Sequence, residues 1–116
     1  MTLPCFGRIA WAAIPDSRGR GSKRRPVVIV SATDDITATD VVKAVAVTTK
    51  PDMGPAESQT ELEFDPAGAG PTGLRERCWA VSTWLVELRV DDIEKYAGLV
   101  APTTMVEIVD KIRGGS

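Results

Sequence analysis

Residues 19–30 read GRGSKRRPVVIV, a glycine-punctuated basic loop that runs through a proline into β-branched apolar residues. Arg18, Arg20, Lys23, Arg24 and Arg25 put five positive charges into eight residues, with no acid among them. Arg25 ends the loop where a rigid strand begins at Pro26, and that strand would hold it at a fixed place. Its guanidinium offers a planar fork of donors to phosphate, stays charged and stabilises charge developing on a phosphorane. Thr48, Thr49 and Lys50 leave the end of another apolar stretch together. Two hydroxyls and an ammonium there suit a phosphate or a ribose hydroxyl. Taken singly, each group reads first as a solvated hairpin or an ordinary strand exit.

The missing chemistry narrows the choice. The chain has no histidine, so the commonest general base is absent. It has no glycine-rich phosphate loop with its lysine, no HExxH and no EF-hand. Cys5 and Cys78 are too few for a disulfide framework and lack the spacing of a zinc site; they read as reduced thiols, a single bridge between them being the alternative. No metal and no cofactor are expected. Net charge is −2, which leaves −7 on the chain outside the five basic residues. Such a protein engages a phosphate chain at one place and does not coat nucleic acid generally.

The elements that must position these groups fit one domain of 116 residues, residues 1–116, with 43% apolar and 26% charged residues. Residues 9–14 (IAWAAI) predict a first strand, residues 15–24 the basic loop, and residues 27–31 a second strand buried on both faces. Residues 32–40 read as a loop and residues 41–48 (VVKAVAVT) as a third strand. Residues 51–73 hold four prolines and four glycines, so loops dominate there. Within them residues 60–64 alternate as a half-buried strand, with Leu62 and Phe64 on one side. In residues 78–88 strict alternation places Trp79, Val81, Thr83 and Leu85 on one face and Ala80, Ser82, Trp84, Val86 and Leu88 on the other. Residues 91–97 suggest a short helical turn closed by Gly98. Thr104 and Glu107 match a capping box, and Met105, Ile108, Val109 and Ile112 form a helical stripe ended by Gly114 and Gly115. The class expected is mainly β with a C-terminal helix, a small barrel or twisted sheet with helices packed on one side. The first residues lack the basic start and long apolar block of a signal peptide, and no apolar run is long enough to span a bilayer, so a cytoplasmic protein is expected.

In this order, Arg25-Pro26-Val27-Val28, then Val47-Thr48-Thr49, then Thr72-Gly73-Leu74 and a closing helix after Ala101-Pro102 resemble the MazF/PemK/Kid family of toxin endoribonucleases. The resemblance runs from about Gly7 to Ile112, and its specificity lies in the order and spacing of short pieces. It implies an SH3-like or CcdB-like small β-barrel working as a homodimer, cutting single-stranded RNA without metal and held by a cognate antitoxin with a disordered acidic segment. It implies Arg25 as the phosphorane-stabilising residue, which takes part in proton transfer, and Thr48 as a contact to the scissile phosphate. Arg18, Arg20, Lys23, Arg24, Thr49, Lys50 and Thr83 would bind RNA. Because the substrate's own 2′-hydroxyl is the nucleophile, a histidine-free chain suffices and DNA is left uncut.

The resemblance assigns no general base. Where many members carry an acidic residue and a glutamine, this chain reads Thr83-Trp84, and among the first-loop residues only Asp16 is acidic. Trp84 is either a stacking platform for a base or a core residue. The rival functions are therefore a CcdB-like toxin that poisons a protein such as gyrase, or an inactive relative that binds RNA or antitoxin alone.

Overall fold

The computed structural model describes residues 4–15, 21–50 and 56–114. Arg18 and Arg20 lie outside the described residues, as does Asp16. Six strands form one antiparallel sheet: β1 (Arg8–Pro15), β2 (Ser22–Ile29), β3 (Val41–Thr48), β4 (Gln59–Leu62), β5 (Cys78–Arg89) and β6 (Lys95–Leu99), in the order β4-β5-β3-β2-β1-β6. Two helices accompany it, α1 (Thr33–Thr39) and α2 (Pro102–Gly114). The mainly β class with a C-terminal helix is as expected. No helix among the described residues is long and apolar enough to cross a membrane.

Alternation explains why both faces of the sheet are buried. Ile9, Val28, Val45 and Val47 join Leu62, Ala80, Met105 and Ile108 in one core cluster, the side on which α2 packs. Their strand neighbours Ala10, Ala12, Ile14, Val27, Ile29, Ala44 and Ala46 join Ile36 of α1 and Leu88 in the other. Met105 and Ile108 of the helical stripe are buried, whereas Val109 and Ile112 are half-buried.

The sheet curls without closing, since β4 and β6 form no ladder. The segment before β5 bridges the gap. Thr72 Oγ1 donates to Glu63 O (2.7 Å), and the Asp65 N–H donates to Leu74 O (2.9 Å). On the other side, the N–H groups of Gly98 and Leu99 donate to Thr72 O and Pro71 O, both at 3.0 Å. Residues 71–74 thus occupy the place of a missing strand, which satisfies edge groups that would otherwise be exposed.

Several local expectations are corrected. Residues 32–40 are not a loop, for α1 occupies Thr33–Thr39. Asp34 and Asp35 sit in its first turn, where acids favour the helix dipole, buried Ile36 anchors it, and Asp40 ends it at φ 57°, a conformation aspartate tolerates. The turn expected over 91–97 is a single tight turn, Val90–Asp92, followed by β6. α2 starts at Pro102, two residues before the expected capping box. Proline suits a first helical turn because its missing N–H would be unpaired there anyway. β4 ends at Leu62, leaving Phe64 beyond it and 41% exposed.

Strict alternation also fails in β5. Val45 pairs with Leu85 but Val47 with Ala80, so residues 81–84 oppose Ala46 alone. This irregularity re-aims the strand. Cys78 and Ala80 consequently reach the first cluster, while Trp84, Val86 and Leu88 reach the second.

Candidate active site

β2 begins at Ser22, so Lys23, Arg24 and Arg25 are strand residues and not loop. They pair across to Ile14, Ala13 and Ala12 of β1. Pro26 is likewise inside the strand rather than at its first position. Its role appears in the other neighbour: the β2–β3 ladder ends at the rung Val27–Ala46. Proline cannot donate the next ladder hydrogen bond. Beyond that rung β2 continues with β1 and β3 continues with β5, so the sheet forks.

An open groove of about 580 Å³ lies at this fork. Pro26, Val47, Leu74, Cys78 and Ala97 supply apolar lining, with Trp11 and Thr49 beside them. Lys23, Arg24 and Arg25 border it from β2, Arg75 from the bridging segment and Lys95 from β6. Glu76 is the one carboxylate among its described lining residues. Five cations around one carboxylate make a groove suited to a polyanion.

Arg25 is held in an unusual way. Its guanidinium carbon lies 5.0 Å from the centre of the Trp84 ring, and its Nε is buried without a hydrogen-bond partner. No described carboxylate pairs with it. Trp84 itself packs against the second core cluster. The aromatic face therefore fixes the cation without neutralising it. Arg25 lies two residues beyond the last β2–β3 rung on one strand and Thr48 two residues beyond it on the other, so the two stand at the opening of the fork.

Thr48 is buried, and its hydroxyl accepts the Lys50 N–H at 3.0 Å. It shapes the turn out of β3. The exposed Thr49 lines the groove, whereas Thr48, Lys50 and the exposed Thr83 do not. Arg24 is steadied differently, 5.3 Å above the Trp11 ring and with its Nε 3.7 Å from Glu94 Oε1. A similar arrangement lies off the groove lining, where Arg77 stacks on Trp79 at 5.1 Å and donates to Glu61 at 2.8 Å. That hydrogen bond holds the exposed Glu61 carboxyl below its usual range.

Burial pushes the Cys78 thiol up from 9.0 to about 11, with the charges of Glu76 and Glu61 acting in the same direction. Two units mean a thiolate fraction at pH 8 about a hundredfold below that of an ordinary cysteine. In the folded protein, one thiol is therefore expected to react slowly with a disulfide reagent at pH 8, and to react at the ordinary rate in denaturant. Equal fast rates for both thiols in the folded state would contradict this placement.

Residues 6–114 match the model of the PemK-like, MazF-like toxins of type II toxin–antitoxin systems. The chain belongs to that family. Solved structures agree on the fold. MazF from Deinococcus radiodurans superposes with a TM-score of 0.72 at 16% identity, over 98% of this chain and 96% of that one. An endoribonuclease from a mycobacterial species gives 0.70 at 21% identity, over 98% and 91%. An endoribonuclease in complex with its cognate antitoxin, also mycobacterial, gives 0.71 at 21% identity, over 97% and 93%. No curated protein sequence matches. Within this MazF-like fold, reasoning from sequence singled out Lys23, Arg24, Arg25 and Thr49 at the groove but missed Trp11, Arg75, Glu76 and Lys95. Trp11 and Lys95 gave no local signal, as they arrive through register. Arg75 and Glu76 follow directly on Thr72-Gly73-Leu74, and that adjacency was the available clue.

Proposed function

We propose that this MazF-like protein is a metal-independent endoribonuclease that cuts single-stranded RNA in the cytoplasm, as a homodimer, and that a cognate antitoxin neutralises it. The observation that carries this reading is Arg25: a charged guanidinium fixed on Trp84, with a buried and unpaired Nε beside a cationic groove. A buried donor without a partner costs about 1–3 kcal/mol. A phosphate arriving in the groove is met by the other N–H groups of the same guanidinium, which the Trp84 face holds in place. Arg25 then stabilises charge on the phosphorane while the ribose 2′-hydroxyl attacks. Thr48 keeps the end of β3 in shape beside the place of the scissile phosphate, Lys23, Arg24 and Thr49 hold flanking phosphates from the groove lining, and Lys50 contacts RNA outside that lining. Arg18, Arg20 and Thr83 extend the RNA contact.

The test is incubation of the purified protein with a long single-stranded RNA in EDTA. Discrete fragments bearing 5′-hydroxyl ends, with matching DNA uncut, are expected. No cleavage at any concentration would overturn the reading. Neutralising Lys23 and Arg24 together is expected to weaken RNA binding and to flatten the slope of log affinity against log salt by about 1.4, at roughly 0.7 per phosphate contact on a single strand. An unchanged slope would remove these two residues from the interface.

The antitoxin reading rests on the family and on the groove's charge, which suits an acidic disordered segment that folds on binding. Such a segment is expected to compete with RNA. Simultaneous binding of both would count against a shared groove.

A further inference from the structure

Cleavage by 2′-hydroxyl attack needs a group to take the hydroxyl proton, and neither histidine nor an acidic residue beside Trp84 is present. The groove nevertheless holds a carboxylate. We infer that Glu76 is the general base of this site, taking the proton of the ribose 2′-hydroxyl as it attacks the phosphate bound by Arg25. The inference rests on the ribonuclease reading and adds a catalytic residue to it.

The placement follows from the fork. Thr48 pairs with Trp79 and Val47 with Ala80, so the start of β5 flanks one side of β3's end. Arg25 approaches the other side from β2. Arg25 and Glu76 both line the groove of about 580 Å³, which has room for a phosphate and its ribose. Glu76 is exposed and has no hydrogen bond or ion pair among those described, so its oxygens are available to a substrate. Two residues on, buried Cys78 enters the groove floor and fixes the chain, and on the other side the bridging hydrogen bonds of Thr72 and Leu74 do the same. The charges facing Glu76 across the groove are Lys23, Arg24 and Arg25 of β2 and Lys95 of β6, with Arg75 beside it and the Glu61–Arg77 pair near Cys78.

The step balances without any further reactant. The 2′-oxygen bonds to phosphorus and its proton passes to Glu76. The bond from phosphorus to the 5′-oxygen breaks, and that oxygen takes a proton from water in the open groove. The products are a 2′,3′-cyclic phosphate and a 5′-hydroxyl, and Glu76 returns its proton to solvent.

Glu76→Gln keeps the shape and removes the base. It is expected to lower kcat about a hundredfold or more, within the range general bases contribute, with KM for RNA little changed. The rise of kcat/KM with pH on the acid side should disappear in Glu76→Gln and persist in Glu76→Asp. An RNA carrying sulfur in place of the bridging 5′-oxygen, whose leaving group needs no proton, should remain equally slow with Glu76→Gln. Recovery of the rate on that substrate would make Glu76 an acid and overturn the assignment. So would wild-type kcat and an unchanged pH profile in Glu76→Gln, or transfer of the whole effect to Asp16→Asn run alongside. If wild-type protein cleaves no RNA, the ribonuclease reading fails first. If wild type cleaves and Glu76→Gln matches it, only this inference fails. Thermal melts of each variant separate loss of the base from loss of the fold.

Discussion

Gly98→Ala is expected to lower the melting temperature by roughly 15 °C or more. Gly98 lies in β6 against the bridging segment, where a Cβ would overlap the carbonyl oxygen of Pro71 and crowd its carbon and that of Thr72 to 2.7 Å. These are backbone atoms, so no rotamer change relieves the clash. The segment must move outward. Movement breaks the two hydrogen bonds from Gly98 and Leu99 that join β6 to Thr72 and Pro71. Overpacking costs about 1–3 kcal/mol, and each lost hydrogen bond about 1 kcal/mol more. The sum, on the order of 4 kcal/mol, is a large share of the 5–15 kcal/mol typical of a domain, and at about 4 °C per kcal/mol it gives the stated shift. The same displacement carries Arg75 and Glu76 away from the groove. Residual folded protein should therefore also be weak in cleavage. A melting temperature within two or three degrees of wild type would mean that the bridging segment does not close the sheet.

How much of this was legible in the sequence depends on where each signal resides. β1, β3 and β5 are long apolar runs, and burial on both faces needs no partner to be recognised in a run such as VVKAVAVT. The stripe of α2 is equally local. α1 was missed because its seven residues bury only Ile36, so no periodicity announces it. β6 reads KYAGL and is half-buried; its pairing with β1 and with the bridging segment, not its composition, makes it a strand. The two core assignments within β5 were unreadable for a related reason. Four residues facing one is a property of the partner strand's register, and the sequence of β5 alone carries period two. The site divides the same way. Arg25 was found because it abuts Pro26, and that proline turned out to open the fork. Thr48 was found by its place at a strand end, yet its hydroxyl serves the turn while Thr49 lines the groove. Trp11, Lys95 and Glu76 come from three further segments, brought together by curling of the sheet.

Arg25→Ala is expected to reduce kcat by at least 10²–10³-fold, the usual loss when a group that stabilises transition-state charge is removed, while leaving the melting temperature within a few degrees of wild type. The second half of this expectation is the more informative, because two stability terms oppose one another. Losing the contact with Trp84 forfeits about 0.5–2 kcal/mol of cation–π attraction. Removing the guanidinium also removes a buried Nε that has no partner, a relief of about 1–3 kcal/mol. The two nearly cancel. A residue whose removal destroys activity and spares stability is one that the fold holds at a cost for the sake of its ligand. Arg25→Lys keeps the charge but not the planar fork or the fit over the indole, so it should recover only a small part of the rate. Millimolar guanidinium ion should partly restore Arg25→Ala, since the Trp84 face and the groove remain to receive it, and should do nothing for Glu76→Gln. Activity within tenfold of wild type in Arg25→Ala would place the phosphate elsewhere. A large fall in melting temperature would instead make the Arg25–Trp84 pair a structural clamp, and the unpaired Nε would then need another explanation.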